Sequence, residues 1–315
     1  MSFMTRLNNS WHLFTQSLTV MRDHKKLMVF PLVTAALTLL IILFFIAPVA
    51  LQSTGYNYTD IQHWKAVAGT IFIPASIEAP HTPHTADRQS SPVLTNYGVI
   101  YFAIIYFAAM FLATFFSVAF YHEILRALNG QDVSITGGLR FAGTKLPSIL
   151  IWSLFAGLVG YIIRTLEEKV GIIGKIILSI VGIAWSVASV FVIPFIITDT
   201  SLNPLHLLQE SAATLKKTWG ESLIGYLGIQ FGSLIVALSS LFLLGGVVII
   251  AIQLHSIVTF LVACALWFVG ILAFAYLTNI ANHIYRCALF IFASAGKIPA
   301  PFDQVAMQSA WKMKK

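Results

Sequence analysis

Apolar residues do not alternate with polar ones along most of this chain. They run together in blocks of about 20, long enough to cross the roughly 30 Å hydrocarbon core of a bilayer as helices. The uncharged runs are Leu27–Leu51, Val99–Tyr121, Leu146–Ile163 and Ile176–Ile197. A further stretch, Ser222–Asn282, has no charged residue and one internal histidine, His255. It is too long for one span and suits two helices, about Leu223–Ile249 and Ile257–Leu277, with Gly245–Gly246 as a break or kink in the first. The expected fold is therefore all-α, a polytopic transmembrane bundle of six helices. The expected segments are TM1 27–51, TM2 98–122, TM3 146–164, TM4 176–198, TM5 222–250 and TM6 256–280. Between them lie connections at 52–97, 123–145 and 165–175, and the chain ends in a tail, 281–315.

Two polar segments carry a helical period instead. Trp11, Phe14, Leu18 and Met21 fall on one face, followed by Arg22, Lys25 and Lys26. Asn203–Pro204 opens a second amphipathic helix, within 199–221, in which Leu205, Leu208, Ala212, Leu215 and Trp219 share a face. Lys216 and Lys217 stand in its last turns, where the helix dipole favours cations. Both helices are read as lying in the membrane interface, with Trp11, Lys25, Lys26, Lys216, Lys217 and Trp219 touching anionic headgroups. For the first, packing on the bundle is an equal alternative. The 52–97 connection is the one long hydrophilic segment, and its apolar patch Ala66–Ile77 reads as an interfacial or cap element.

Composition narrows the class. The chain is 58% hydrophobic and 10% charged, with mean hydropathy +0.84. Soluble domains carry about 25% charge, so a soluble, disordered or disulfide-scaffold protein is excluded. The net charge of +7 comes from 19 Lys/Arg against 12 Asp/Glu. The cations sit in short segments between apolar runs, which points to membrane orientation and not to nucleic acid. Placing both termini in the cytoplasm puts 14 of the 19 Lys/Arg inside and 5 outside. The localisation expected is the cytoplasmic (inner) membrane. Arg164, Lys169 and Lys175 fall on the outer side, so the third and fourth segments fit either full crossings or a re-entrant hairpin. Cys264 and Cys287 are too far apart on one helix to pair.

Candidate chemistry is sparse. Asn279, His283 and Arg286 share a face at the end of the sixth span, suited to a pore mouth or a headgroup phosphate. His122, Glu123 and Arg126 close the second span, where a proton relay is conceivable. Glu78, His81, His84 and Asp87 recur every three residues and could ligate a divalent metal, although Pro80 and Pro83 prevent a regular helix. Gly225, Gly228 and Gly232 form a small-residue face for close helix packing or self-association into a homo-oligomer. No nucleophile motif, phosphate loop or dinucleotide fingerprint occurs. No enzyme activity and no cofactor are expected, and the span cores lack the midplane charge of ion-coupled carriers.

Trp11 and Ser17, Lys26 and Phe30–Pro31, Trp152, Trp185 with Val192–Ile193–Pro194, Glu210–Ser211, Lys217, Trp219–Gly220 and Glu221 form a pattern of their own. In these residues the chain resembles an uncharacterised family of prokaryotic six-helix membrane proteins, a domain of unknown function. The basic-then-Phe–Pro entry to the first span is also similar to the glycerophosphodiesterase-associated membrane domain and to sulfate-permease-like proteins. The resemblance implies a membrane fold and no activity. Passive permeation of a small solute is the first functional expectation. A non-conducting structural, lipid- or partner-binding protein is the alternative, and a membrane-embedded enzyme comes third.

Overall fold

A computed structural model describes residues 3–73, 93–218, 238–251, 253 and 256–303. Its elements are α1 (Phe3–Asp23), a 3-10 turn (Lys25–Met28), α2 (Val29–Ala50), α3 (Ile61–Ile71), α4 (Asn96–Leu128), α5 (Ile135–Thr144), α6 (Leu146–Lys169), α7 (Ile172–Ala188), α8 (Val192–Thr198), α9 (Pro204–Thr218) and α11 (Ile257–Ala295). An apolar helix, α10, runs Leu238–Ala251. The fold is an all-α helical membrane bundle. Its one extended feature among the described residues is a two-residue antiparallel pair, Phe72–Ile73 with Val93–Leu94.

Among the described residues, five helices are long and apolar enough to cross a membrane: Lys25–Ala50, Asn96–Leu128, Leu146–Lys169, Ile172–Thr198 and Ile257–Ala295. The third and fourth are 24 and 27 residues long, each sufficient for a full crossing. Of the expected 222–250 span only α10 is described, and it continues unbroken through Gly245–Gly246.

Burial is concentrated at one end. Leu13, Phe30, Ile124, Ile149, Val192, Leu207 and Tyr285 belong to one buried cluster drawn from α1, α2, α4, α6, α8, α9 and α11. We call this the packed end. Away from it the helices present apolar side chains outward, such as Phe44, Ile100, Ile173, Phe242 and Leu266, as lipid-facing helices must.

The segment boundaries differ from those expected of the sequence, for local reasons. α11 does not stop near residue 280. Its 39 residues span about 58 Å at 1.5 Å per residue, nearly twice a bilayer core. Its last half is buried in the packed end, and it stops only at Gly296, whose φ of 66° suits a C-cap. Residues 281–295 are therefore helix and not tail. α4 likewise runs on to Leu128 before Gly130 (φ 73°) turns the chain. The expected 123–145 loop contains α5, started by Ser134, whose Oγ accepts the Gly137 N–H. α6 extends to Lys169, which shortens the far turn to two residues.

The expected TM4 starts earlier, at Ile172, and is broken at Ser189–Phe191. Pro194 has no N–H to offer the carbonyl four residues back, and this explains the break. The Phe191 N–H released there donates to Ser211 Oγ of α9 at 3.0 Å. Trp152 of α6 stacks on Trp185 of α7, centroids 6.0 Å apart and planes 7° apart. Tyrosine hydroxyls tie the spans by donating to backbone carbonyls. Tyr101 reaches Phe45, Tyr276 reaches Met28, and Tyr106 reaches Gly157 at 3.0 Å.

α1 lies on α11 with Leu13, Phe14, Ser17, Val20 and Met21 buried, and the Asp303 N–H donates to Gln16 Oε1 at 3.2 Å. Its apolar face is thus covered by protein, so packing on the bundle, and not the interface, describes α1. In α9 Asn203 caps the helix as expected, its Oδ1 accepting from the N–H groups of Leu205 and His206. The buried stripe is Leu207, Ser211, Thr214 and Leu215. Leu205 stays exposed, so the stripe is rotated from the face counted by hydrophobicity.

Candidate functional site

The polar residues nominated from the sequence gather where α4 and α11 enter the packed end. Glu123 is fully buried. Its Oε2 accepts the Ser134 N–H at 2.7 Å, at the start of α5. Its Oε1 lies 3.4 Å from Arg126 Nη1 and 3.9 Å from His122 Nε2. Arg126 Nε also donates to Gln131 Oε1 at 3.2 Å. A carboxylate this deep needs both a counter-charge and hydrogen bonds. Here it has both: Arg126 on its own helix supplies the charge, and the Ser134 N–H ties α4 to the start of α5.

The His122 ring stacks flat on Phe141 of α5, centroids 3.7 Å apart. Gly138 of α5 sits under the same group. A Cβ there would come within 2.8 Å of the Ala119 carbonyl, 2.9 Å of Glu123 Cγ and 3.1 Å of Phe30 Cζ. Phe30, at the start of α2, in turn stacks on Phe120 at 5.5 Å. Three helices therefore meet on a glycine.

His283 of α11 turns to the other side of α4. Its Nδ1 is 2.9 Å from the Tyr121 hydroxyl, and its ring packs edge-on against Phe120 and Tyr121. Asn279, one turn earlier, is exposed, while Arg286 is half-buried. Thr278 Oγ1 and Asn282 Oδ1 are buried and make no hydrogen bond. The structure thus joins His122, Glu123 and Arg126 into one group and sends His283 to Tyr121. It leaves Asn279 outside both. What this arrangement does chemically is hold helices in register.

A second polar junction has no counterpart among the residues nominated from the sequence. Lys145 Nζ donates to the Asp199 carbonyl at 2.7 Å, connecting the start of α6 to the end of α8. Asp199 Oδ1 accepts the N–H groups of Thr200 and Ser201, and its Oδ2 lies 3.6 Å from His206 Nδ1. A lone lysine, aspartate and histidine spread over some 60 positions carry no local signal. Ser134 followed by Gly137–Gly138 was the available hint for α5.

Of the residues nominated for headgroups, Lys25, Lys26 and Lys216 are exposed. The Trp11 and Lys217 side chains, Trp219, and the nominated metal ligands Glu78, His81, His84 and Asp87 lie outside the described residues. Among the described residues no cluster of three or more His, Cys, Asp or Glu is placed to hold a metal ion. Cys264 and Cys287 are both free.

Residues 94–300, about two-thirds of the chain, match the Family of unknown function (DUF6159). The chain belongs to the DUF6159 family. The matched stretch begins at the strand before α4 and ends past α11, so it contains Glu123, Gly138, Trp152, Trp185 and Ser211. The residues that carried the resemblance at Trp11, Ser17, Lys26 and Phe30–Pro31 lie before it. No curated protein and no solved structure matches the chain. The matched stretch contributes most of the helices that build the packed end.

Proposed function

We propose that this DUF6159 chain is a non-conducting multi-pass membrane protein whose packed end forms a cationic platform that engages anionic lipid headgroups. The observation that carries this reading is the placement of Lys25 and Lys26. Both are exposed, neither has an acidic partner among the described residues, and they occupy the turn directly ahead of spanning helix α2. A cation so close to a helix entering the bilayer stands at headgroup depth, where each adds about 1 kcal/mol of attraction to an anionic leaflet. Arg140, Lys216 and Lys297 are exposed at the same end. The positive-inside bias supports a cytoplasmic orientation for this end.

Passive permeation would require Asn279, His283 and Arg286 to line a mouth together. Tyr121 engages His283, and Asn279 lies apart from the cluster around Glu123. These positions favour a holding role for the group over a conducting one. The reading involves no chemical step and no cofactor.

Native mass spectrometry of protein extracted from mixed anionic and zwitterionic bilayers tests the headgroup reading. Wild-type protein is expected to retain anionic lipid preferentially, and the double variant Lys25→Glu/Lys26→Glu to lose that preference. Equal retention of both lipid classes by wild type and variant would contradict it.

A further inference from the structure

The end of the molecule opposite the platform carries a small element with its own surface. Helix α3 is clamped across the ends of two spans. His63 is fully buried, with Nε2 2.9 Å from the Ala50 carbonyl, the last residue of α2, and Nδ1 2.6 Å from Thr54 Oγ1. At the other end of α3, Thr95 Oγ1 donates to the Thr70 carbonyl at 2.9 Å while capping α4. α3 is thus fixed at the level where α2 leaves and α4 enters the apolar region.

The perimeter of α3 divides into three arcs at about 100° per residue. His63 and Val67 face the protein and are buried. The remaining two arcs are both exposed and differ in kind. Ile61, Trp64 and Ala68 form one, with Ile61 67% and Trp64 50% exposed. Gln62, Lys65 and Gly69 form the other. The Trp64 indole N–H donates to the Tyr58 carbonyl at 3.0 Å, which holds the ring in place while it remains half open. Tyr56, Tyr58 and Tyr97 are exposed at the same end of the molecule. Next to the apolar arc, a groove of about 370 Å³ opens between Val49, Ile71, Gly98, Tyr101 and Ile104. Its lining continues directly into the lipid-facing sides of α2 and α4.

We infer that α3 lies in the membrane–water boundary of the leaflet opposite the packed end, with Ile61, Trp64 and Ala68 in the lipid and Gln62 and Lys65 in water. Phospholipid is the occupant these features fit. Tryptophan and tyrosine concentrate at that depth because one part of each ring system is apolar and the other seeks a polar partner. The apolar arc is continuous with helices that meet lipid along their length. The polar arc lies beside the apolar one and not opposite it, as a helix resting on a bilayer while packed sideways on protein requires.

Spin labels placed singly at 61, 62, 65 and 68 in reconstituted Cys264→Ser protein test this, with Cys287 left in place because it is buried. Labels at 61 and 68 are expected to collide severalfold more with molecular oxygen than with a water-soluble nickel chelate, and labels at 62 and 65 to show the reverse. Nickel access at all four sites would overturn the inference. So would neither reagent reaching 61 and 68, which would mean that protein covers the face. A parallel measurement leaves the cysteines untouched. The fluorescence difference between wild type and Trp64→Phe is expected to be quenched by lipids brominated near the headgroup end of the chain. A difference signal that brominated lipid leaves unquenched would also overturn it.

Discussion

Gly138 shows how much of the packed end hangs on single atoms. Its missing side chain lets α5 approach the Ala119 carbonyl, Glu123 and Phe30 together, so α2, α4 and α5 share one contact. Gly138→Ala is expected to cost about 1–3 kcal/mol, as overpacking a closed contact does, because the nearest atom is backbone and cannot yield cheaply. Gly143, in the same helix, faces open space, with no atom within 4 Å of where a Cβ would stand. Gly143→Ala is expected to leave stability unchanged or raise it by about 0.4–1 kcal/mol through the unfolded chain. Thermal unfolding of the two variants in one detergent separates these outcomes. A Gly138→Ala protein as stable as wild type would show that α5 does not seat on α4 in this way.

At the scale of elements, the break between α7 and α8 is the informative feature. Pro194 forces it, and Ser211 makes it tolerable by accepting the buried Phe191 N–H. Ser211→Ala is expected to destabilise by about 1–3 kcal/mol, the cost of leaving a buried backbone donor unmet. Ser186→Ala, which removes an exposed hydroxyl bonded only within its own helix, is expected to change little. Equal unfolding midpoints for the two variants would show that α9 is not what closes the break.

The same elements show what the sequence made legible. Apolar runs of span length located α2, α4, α6 and the start of α11, because lipid imposes one rule on every exposed residue. Asn203–Pro204 announced α9, because capping is a local chemistry. The continuation of α4 and α11 beyond the membrane was hidden, since their outer halves are covered by distant helices and no longer obey the lipid rule. The roles of Glu123, Ser211 and Lys145 were hidden for a related reason. Each partners a group between 11 and 54 positions away, and hydropathy says nothing about such pairs.

At the scale of the whole molecule, the polar groups fall into two sets. Glu123, Arg126 and His283 are engaged with neighbouring side chains or backbone, and Lys25, Lys26, Arg140, Lys216 and Lys297 are exposed at the same end. A platform held at a membrane surface needs this arrangement, whereas a passage needs polar groups that face an open path. The most direct test is solute flux through liposomes containing folded, inserted protein, measured over a panel of ions and small neutral molecules. No selective flux above protein-free liposomes is expected, with wild type and Arg286→Glu indistinguishable. Selective flux by wild type that His283 or Arg286 substitutions abolish would contradict the platform and restore a passage at the end of α11.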